Sequence, residues 1–191
     1  MDLWFPGDRN VHIHMQDHIQ EAIDALGEPI TGKVSTPATS DLFDEDQVTS
    51  MFNVELGGKF RSVVMKVQWI AEQGRPALRL PVSYLTTHLT KAMTQDWQKL
   101  RRVLTFLHNT IDDDRVRVIE DLGVMHTWVS ELYAMHPDMK GRIGCVMLYG
   151  LGNIHTQSSK QKLNTKSSTE SEVVRVSDYV PQPIWAKFIS R

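Results

Sequence analysis

Residues 159–172 have the sequence SKQKLNTKSSTESE, a polar and basic run that ends in hydroxyl and acidic residues. Ser167 with Glu170, and Thr169 with Glu172, each have the spacing of a capping box. In that motif, side chains at the start of a helix bond its free backbone amides. The run therefore predicts a polar, basic loop followed by a helix that begins near Thr169.

Upstream of this run, apolar residues recur with a period of 2, which is typical of β-strands. The predicted strands cover residues 116–119, 127–135, 144–149 and 153–157, with a turn over residues 136–141. Within the second of these, Trp128 and Ser130 share one face, and Val129 and Glu131 share the other. The last three strands predict a three-stranded antiparallel meander, followed by one helix whose end is disturbed by Pro181.

The preceding half of the chain has the period of about 3.6 that indicates amphipathic helices. Two apolar faces follow this spacing: Phe60, Val63, Val64, Val67 and Ala71, and then Trp97, Leu100, Val103, Leu104 and Leu107. Arg75 and Pro76 indicate a boundary between helices, and Thr94 is the predicted N-cap of the last one.

The first 58 residues predict a strand over residues 11–15, a short helix and a long connection over residues 28–58. The helix has its apolar residues at Ile19, Ala22, Ile23 and Leu26, and Gly27 is a suitable C-terminal stop. Helices followed by an antiparallel sheet and a further helix predict an α+β fold.

Composition sets further bounds on the chain. Of its 191 residues, 41% are hydrophobic and 23% are charged, as in ordinary globular proteins, and the net charge is −2. An independent nucleic-acid-binding protein usually has a basic excess, so any such contact here requires a local patch or a missing partner domain. A single cysteine, Cys145, excludes an intramolecular disulfide and is predicted to be a small buried strand residue. The sequence predicts neither a signal peptide nor a membrane span, and hence an intracellular, cytoplasmic or nuclear protein.

Residues 159–172 closely resemble the segment that enters the first RNase H helix of copia-type LTR retrotransposon polyproteins. Trp128-Val129 and residues 134–140 resemble the first strand and hairpin of that domain. Further upstream, the resemblance continues through residues 60–62, Arg75-Pro76, and residues 96–100 and 102–110, which are similar to the helical connection after the polymerase. The motifs stand in the family's order and at matching spacing over most of the chain.

The resemblance implies three regions. Residues 1–58 would be the end of reverse transcriptase, and residues 59–115 a helical thumb- or connection-like region. Residues 116–191 would be a truncated RNase H-like domain with the meander and one helix. The intact family enzyme is an RNA-directed DNA polymerase with RNase H activity, which uses Mg²⁺ and acts on an RNA–DNA hybrid. The implied partners are nucleic acid and the rest of the polyprotein, with no membrane and no small-molecule substrate.

RNase H chemistry requires about four carboxylates around two metal ions. In the family, the first is an Asp directly after Trp-Val, and Ser130 stands at that position here. Glu172 matches the second carboxylate, although its capping-box spacing favours a structural role. The third and fourth would lie beyond Arg191, and no polymerase Tyr-x-Asp-Asp motif is present. The chain is therefore expected to be catalytically inactive by itself, with no cofactor and no metal site.

Three other groups of residues bear on function. His12, His14 and His18 lack a fourth ligand, so a metal role is disfavoured. Asp112, Asp113 and Asp114 are interpreted as a solvated charge run. Lys160, Lys162 and Lys166 are the candidate nucleic-acid-binding residues, against a simpler interpretation as a solvated loop.

Two alternative functions remain open. One is a domesticated module that binds nucleic acid or a protein partner, with interface anchors supplied by Trp69, Trp97, Trp128 and Trp185. The other is an RNase H-type hybrid ribonuclease whose missing carboxylates are supplied in trans. The ribonuclease alternative is disfavoured, because Ser130 stays neutral whatever carboxylates are supplied in trans.

Overall fold

A computed structural model describes residues 1–7, 10–44, 50, 52–118, 124–132 and 139–189. It confirms the predicted α+β class, with helices and two small antiparallel sheets of three strands each in this described part. The chain divides into two compact units. Unit 1 comprises Met1–Trp4 and His12–Arg115, and unit 2 comprises Phe5–Val11 and Val116–Arg191.

In the described residues, two strands are followed by a run of helices, then by four strands and finally by two helices. In order they are β1 (Asp2–Trp4), β2 (Asn10–His14), α1 (Gln16–Leu26), α2 (Val54–Gln73), a 3-10 helix (Pro76–Leu78), α3 (Arg79–Thr87), α4 (Thr94–Asn109), β3 (Arg115–Val118), β4 (Met125–Leu132), β5 (Arg142–Tyr149), β6 (Gly152–Lys160), α5 (Ser168–Tyr179) and α6 (Pro181–Ile189).

Unit 1 has one hydrophobic core to which helices α1 to α4 all contribute. The helical faces predicted from sequence are confirmed, since the predicted apolar residues of α1 and α2 are buried. Of the predicted α4 stripe, Leu100, Val103, Leu104 and Leu107 are buried and Trp97 is partly buried. Gly27 ends α1 in the left-handed region at φ 65°, a conformation that glycine adopts without strain, as predicted.

Two helix starts differ from the sequence predictions. Helix α2 begins at Val54, inside the predicted connection, because Asn53 accepts a hydrogen bond from the Leu56 amide at 2.8 Å. Gly57 and Gly58 suggested a loop, yet both lie within the helix. The N-cap of α4 is Met93, not Thr94, since the Asp96 carboxylate accepts from the Met93 amide at 2.8 Å.

The connection between α1 and α2 is fixed to helix α4 at three points. Arg101 donates to the Pro29 carbonyl at 3.3 Å, and Arg102 donates to the Thr36 hydroxyl at 3.1 Å. Lys99 donates to the Asp44 carbonyl at 2.8 Å. A connection of this length is unusual in a compact domain unless side chains anchor it. These bonds, together with the buried Leu42, make residues 28–44 of the connection part of the folded unit.

Unit 2 contains the predicted meander, with strand order β4-β5-β6 and antiparallel pairing throughout. The described residues of the predicted strands are confirmed, while Ile119 and residues 133–138 lie outside the described part. Strand β6 extends to Lys160, beyond its predicted end. The prediction of one final helix was wrong, because α5 ends at Tyr179 and α6 begins at Pro181. Proline suits the first turn of a helix, where its missing N–H costs nothing.

The β4–β6 sheet has two chemically different faces. We call inner the face that carries Val129, Glu131, Ile143, Cys145 and Met147, and outer the face that carries His126, Trp128, Ser130, Leu132, Arg142, Gly144, Val146, Thr156, Ser158 and Lys160. On the inner face, Ile143 and Cys145 form a small core with Tyr179 of α5. The helices of unit 2 therefore pack on the inner face.

The inner face is only partly covered by these helices. A cavity of about 550 Å³ lies between α6 and the sheet, with Met147, Ile154 and Trp185 in its lining. Trp185 and Phe188 on α6 are mostly exposed. The apolar surface buried in unit 2 is therefore small, and little hydrophobic stabilisation is available to it.

Cys145 is buried, as predicted, with 1% of its surface exposed. Burial raises the pKa of its thiol above the ordinary value of 9.0, so the nucleophilic thiolate is disfavoured. We expect a disulfide-exchange reagent to modify Cys145 at least about a hundredfold more slowly in the native chain than in urea, because modification requires opening of unit 2. Equal rates would show that this core does not form.

The same pKa shift predicts an alkaline loss of stability. The folded state holds the Cys145 proton more tightly than the unfolded state does. The protonated thiol therefore contributes fully to the free energy of unfolding below pH 9.0, and this contribution declines as the pH rises through the folded pKa. Burial also raises the pKa of Tyr179, which acts in the same direction. Urea unfolding at increasing pH should show a smaller decline for Cys145→Ala than for the native chain.

Candidate functional site

Ser130, at the position of the family's first catalytic Asp, lies on the outer face of β4 opposite Gly144 of β5. Its side chain is exposed. Because successive strand residues point to opposite faces, the carboxylate of Glu131 lies on the inner face. The two positions therefore cannot substitute for each other, as the sequence predicted.

Glu131 belongs to a polar cluster that joins the sheet to helix α5. The Ser171 hydroxyl donates to the Glu131 carboxylate, and Gln161 Nε2 donates to the same hydroxyl at 2.7 Å. Ser171 and Gln161 are both buried. Gly141 makes room for the cluster, since a Cβ there would lie 2.8 Å from Gln161 Oε1. This arrangement gives Glu131 a structural role, and sequence reasoning missed its partners.

Glu172 lies on α5 and is exposed to solvent. Of the two predicted capping boxes, Ser167 with Glu170 forms the cap: Ser167 Oγ accepts from the Glu170 amide at 3.2 Å. Glu170 in turn accepts from the Lys166 amide at 2.7 Å. The prediction that Glu172 caps the helix was therefore wrong. Within the described residues, no hydrogen bond or ion pair joins Glu172 to Ser130.

The three candidate lysines lie near the end of β6, in different settings. Lys160 is the last residue of β6 and pairs in the ladder with Arg142, so its placement in the predicted loop was wrong. Lys162 and Lys166 lie in the connection to α5 and are exposed. Lys160 is half-buried at the edge of the outer face.

His12, His14 and His18 each contact another kind of side chain, and the rings of His12 and His14 are also stacked on each other with centroids 6.4 Å apart. His14 Nδ1 lies 2.7 Å from Asp114 Oδ1, which gives this Asp a partner that the solvated-run interpretation did not predict. His12 and His18 pack edge-on against Trp4 and Trp69, with ring centroids 5.1 Å and 4.5 Å apart. Throughout the described ranges, no group of three or more His, Cys, Asp or Glu side chains has the arrangement of a metal site.

The outer face carries an aromatic pair that the sequence interpretation overlooked. The rings of His126 and Trp128 are stacked, with centroids 5.5 Å apart and planes inclined by 21°. Trp128 is 53% exposed. The signal was available in the sequence, since residues i and i+2 of a strand share a face.

Charge is distributed unevenly between the two units. The residues of unit 2 include 10 Lys and Arg against 8 Asp and Glu, a formal charge of +2. The corresponding numbers for unit 1 are 11 and 15, a charge of −4. The net charge of −2 therefore conceals a slight basic excess in unit 2, which is compatible with contact to nucleic acid through a local patch.

None of the described helices combines the length and the apolar character that a bilayer crossing requires. No protein-family model matches this chain, and no solved structure matches it.

Proposed function

We propose that the chain is part of a copia-type retrotransposon polyprotein, from the reverse transcriptase and RNase H region, and that it does not cleave RNA–DNA hybrids. The ordered motifs support this proposal. Support also comes from the order of elements in unit 2, where a three-stranded meander leads into a helix capped at Ser167. On this proposal the chain works inside the cell, in cytoplasm or nucleus, with nucleic acid and the remaining polyprotein as partners.

The proposed lack of RNase H activity rests mainly on the positions of the carboxylates. Two-metal hydrolysis needs several oxygen ligands that converge on one place. Ser130 is a neutral hydroxyl on the outer face, Glu131 is bonded to Ser171 on the inner face, and Glu172 lies on α5. These residues do not fit the Mg²⁺ pair of the family enzyme.

Cleavage of a labelled RNA–DNA hybrid in Mg²⁺ or Mn²⁺ tests this proposal. We expect no cleavage by the native chain, by Ser130→Asp or by Glu172→Ala, because restoring one carboxylate leaves the ligand set incomplete. A hybrid digested by an unrelated active RNase H serves as positive control. Cleavage by the native chain that is lost in Glu172→Ala would contradict the proposal and establish Glu172 as a catalytic residue.

A further inference from the structure

We propose that the outer face of the β4–β6 sheet binds single-stranded nucleic acid, with unpaired bases stacked on Trp128 and the backbone directed toward Lys160. The proposal rests on the described geometry and charge of unit 2, and it holds whether or not the chain derives from a retrotransposon.

The stacking surface is the His126–Trp128 pair. Their rings are nearly parallel and stand side by side on an exposed strand face. Aromatic rings exposed on a sheet offer stacking to every base, because each base has a π face. The pair is therefore suited to bases that are not already paired and stacked in a duplex.

The charge of this face complements a phosphate backbone. None of the outer-face positions of β4, β5 and β6 holds an acidic residue, and Ser130 is neutral where the family's pattern has Asp. Lys160 stands at one corner, next to Arg142. Arg142 is 1% exposed and donates to Ser158 at 3.4 Å, so it contributes positive potential rather than a direct contact.

The spacing of these groups suits a short strand of nucleic acid. Trp128 pairs across the sheet with Val146, and four residue pairs further along, Leu132 pairs with Arg142, the neighbour of Lys160. Four residues along the strand and two strand spacings across it place Trp128 roughly 16 Å from Lys160. That distance corresponds to about five stacked nucleotides, or fewer if the strand is extended. Between them, Ser158 and Thr156 present hydroxyl groups.

Fluorescence anisotropy of a labelled twelve-nucleotide oligo-U RNA, titrated with the whole chain, tests the proposal. We expect Trp128→Ala to bind about tenfold more weakly, while Trp128→Phe retains most of the affinity because it keeps an aromatic ring. Trp185→Ala is the matched control: it removes an even more exposed indole from α6, and its affinity should equal that of the native chain.

The charge component has its own test in the same assay. Lys160→Ala should weaken binding and reduce the slope of log affinity against log salt by about 0.7. Ser130→Asp should bind more weakly than Ser130→Asn, since the two differ mainly in charge. Far-UV circular dichroism shows whether Trp128→Ala folds. If it does not, the substitutions at Lys160 and Ser130 still test the proposal.

Three results would overturn the inference. They are an absence of binding at low salt, equal affinity of Trp128→Ala and the native chain, and equal competition by a duplex of the same length. Hybrid cleavage, by contrast, would contradict only the proposed lack of activity and would leave this binding surface unaffected.

Discussion

Phe60→Ala should lower the free energy of unfolding of unit 1 by about 3–5 kcal/mol. Phe60 of α2 is completely buried in the core of unit 1, and its ring lies edge-on to Phe52 with centroids 5.8 Å apart. The truncation removes the transfer free energy of the ring and leaves a cavity that the packed helices cannot close. A loss of this size is a large part of the stability of a domain of about one hundred residues.

Urea unfolding followed by the helical signal in circular dichroism measures this effect. Met65→Ala is the control on the same helix, because Met65 is about half exposed, and its cost should stay below about 1 kcal/mol. Similar losses for the two variants would mean that α2 does not bury the face that contains Phe60.

Asp96→Ala should destabilise unit 1 by about 2–4 kcal/mol. The Asp96 carboxylate is fully buried, and it accepts from the Met93 amide at 2.8 Å. Its other oxygen lies 2.9 Å from His88 Nδ1, so the same group fixes both the start of α4 and the end of α3. Truncation leaves a helix-start amide and an imidazole without this acceptor in a buried place, which is costly.

Thr94→Ala provides the comparison for Asp96→Ala. Thr94 is the cap that the sequence predicts, but its hydroxyl makes exposed contacts with Ser50. Its removal should cost below about 1 kcal/mol, measured in the same urea titration. A larger loss for Thr94→Ala than for Asp96→Ala would restore Thr94 as the residue that caps α4.

Secondary structure was predicted well wherever the period of apolar residues determined it. The α1 face ending in Leu26 and the alternation of β4 are local patterns, so sequence alone revealed them. The start of α2 was missed because Gly57 and Gly58 have low helix propensity, and the Asn53 cap and the buried Phe60 outweigh it. The boundary is thus set by a local cap together with tertiary packing, and the packing is the part that a single sequence does not display.

The candidate site was predicted less completely than the fold. Alternation correctly separated Ser130 from Glu131, because it depends only on strand geometry. The partner of Glu131 could not be found this way, since Ser171 is forty residues distant in sequence. Two overlapping stretches at the start of α5 have the spacing of a capping box, and nothing in the sequence favours Ser167 over Thr169 as the N-cap. The family assignment stays a prediction.

The anchoring of the α1–α2 connection by Lys99, Arg101 and Arg102 has a consequence for folding kinetics. Residues 28–44 gain their bonds only after α4 has formed and reached them, so these contacts have high contact order. Closing so long a loop costs entropy before any contact compensates for it. The connection should therefore consolidate late, and substitutions there should mainly accelerate unfolding and leave the refolding rate nearly constant.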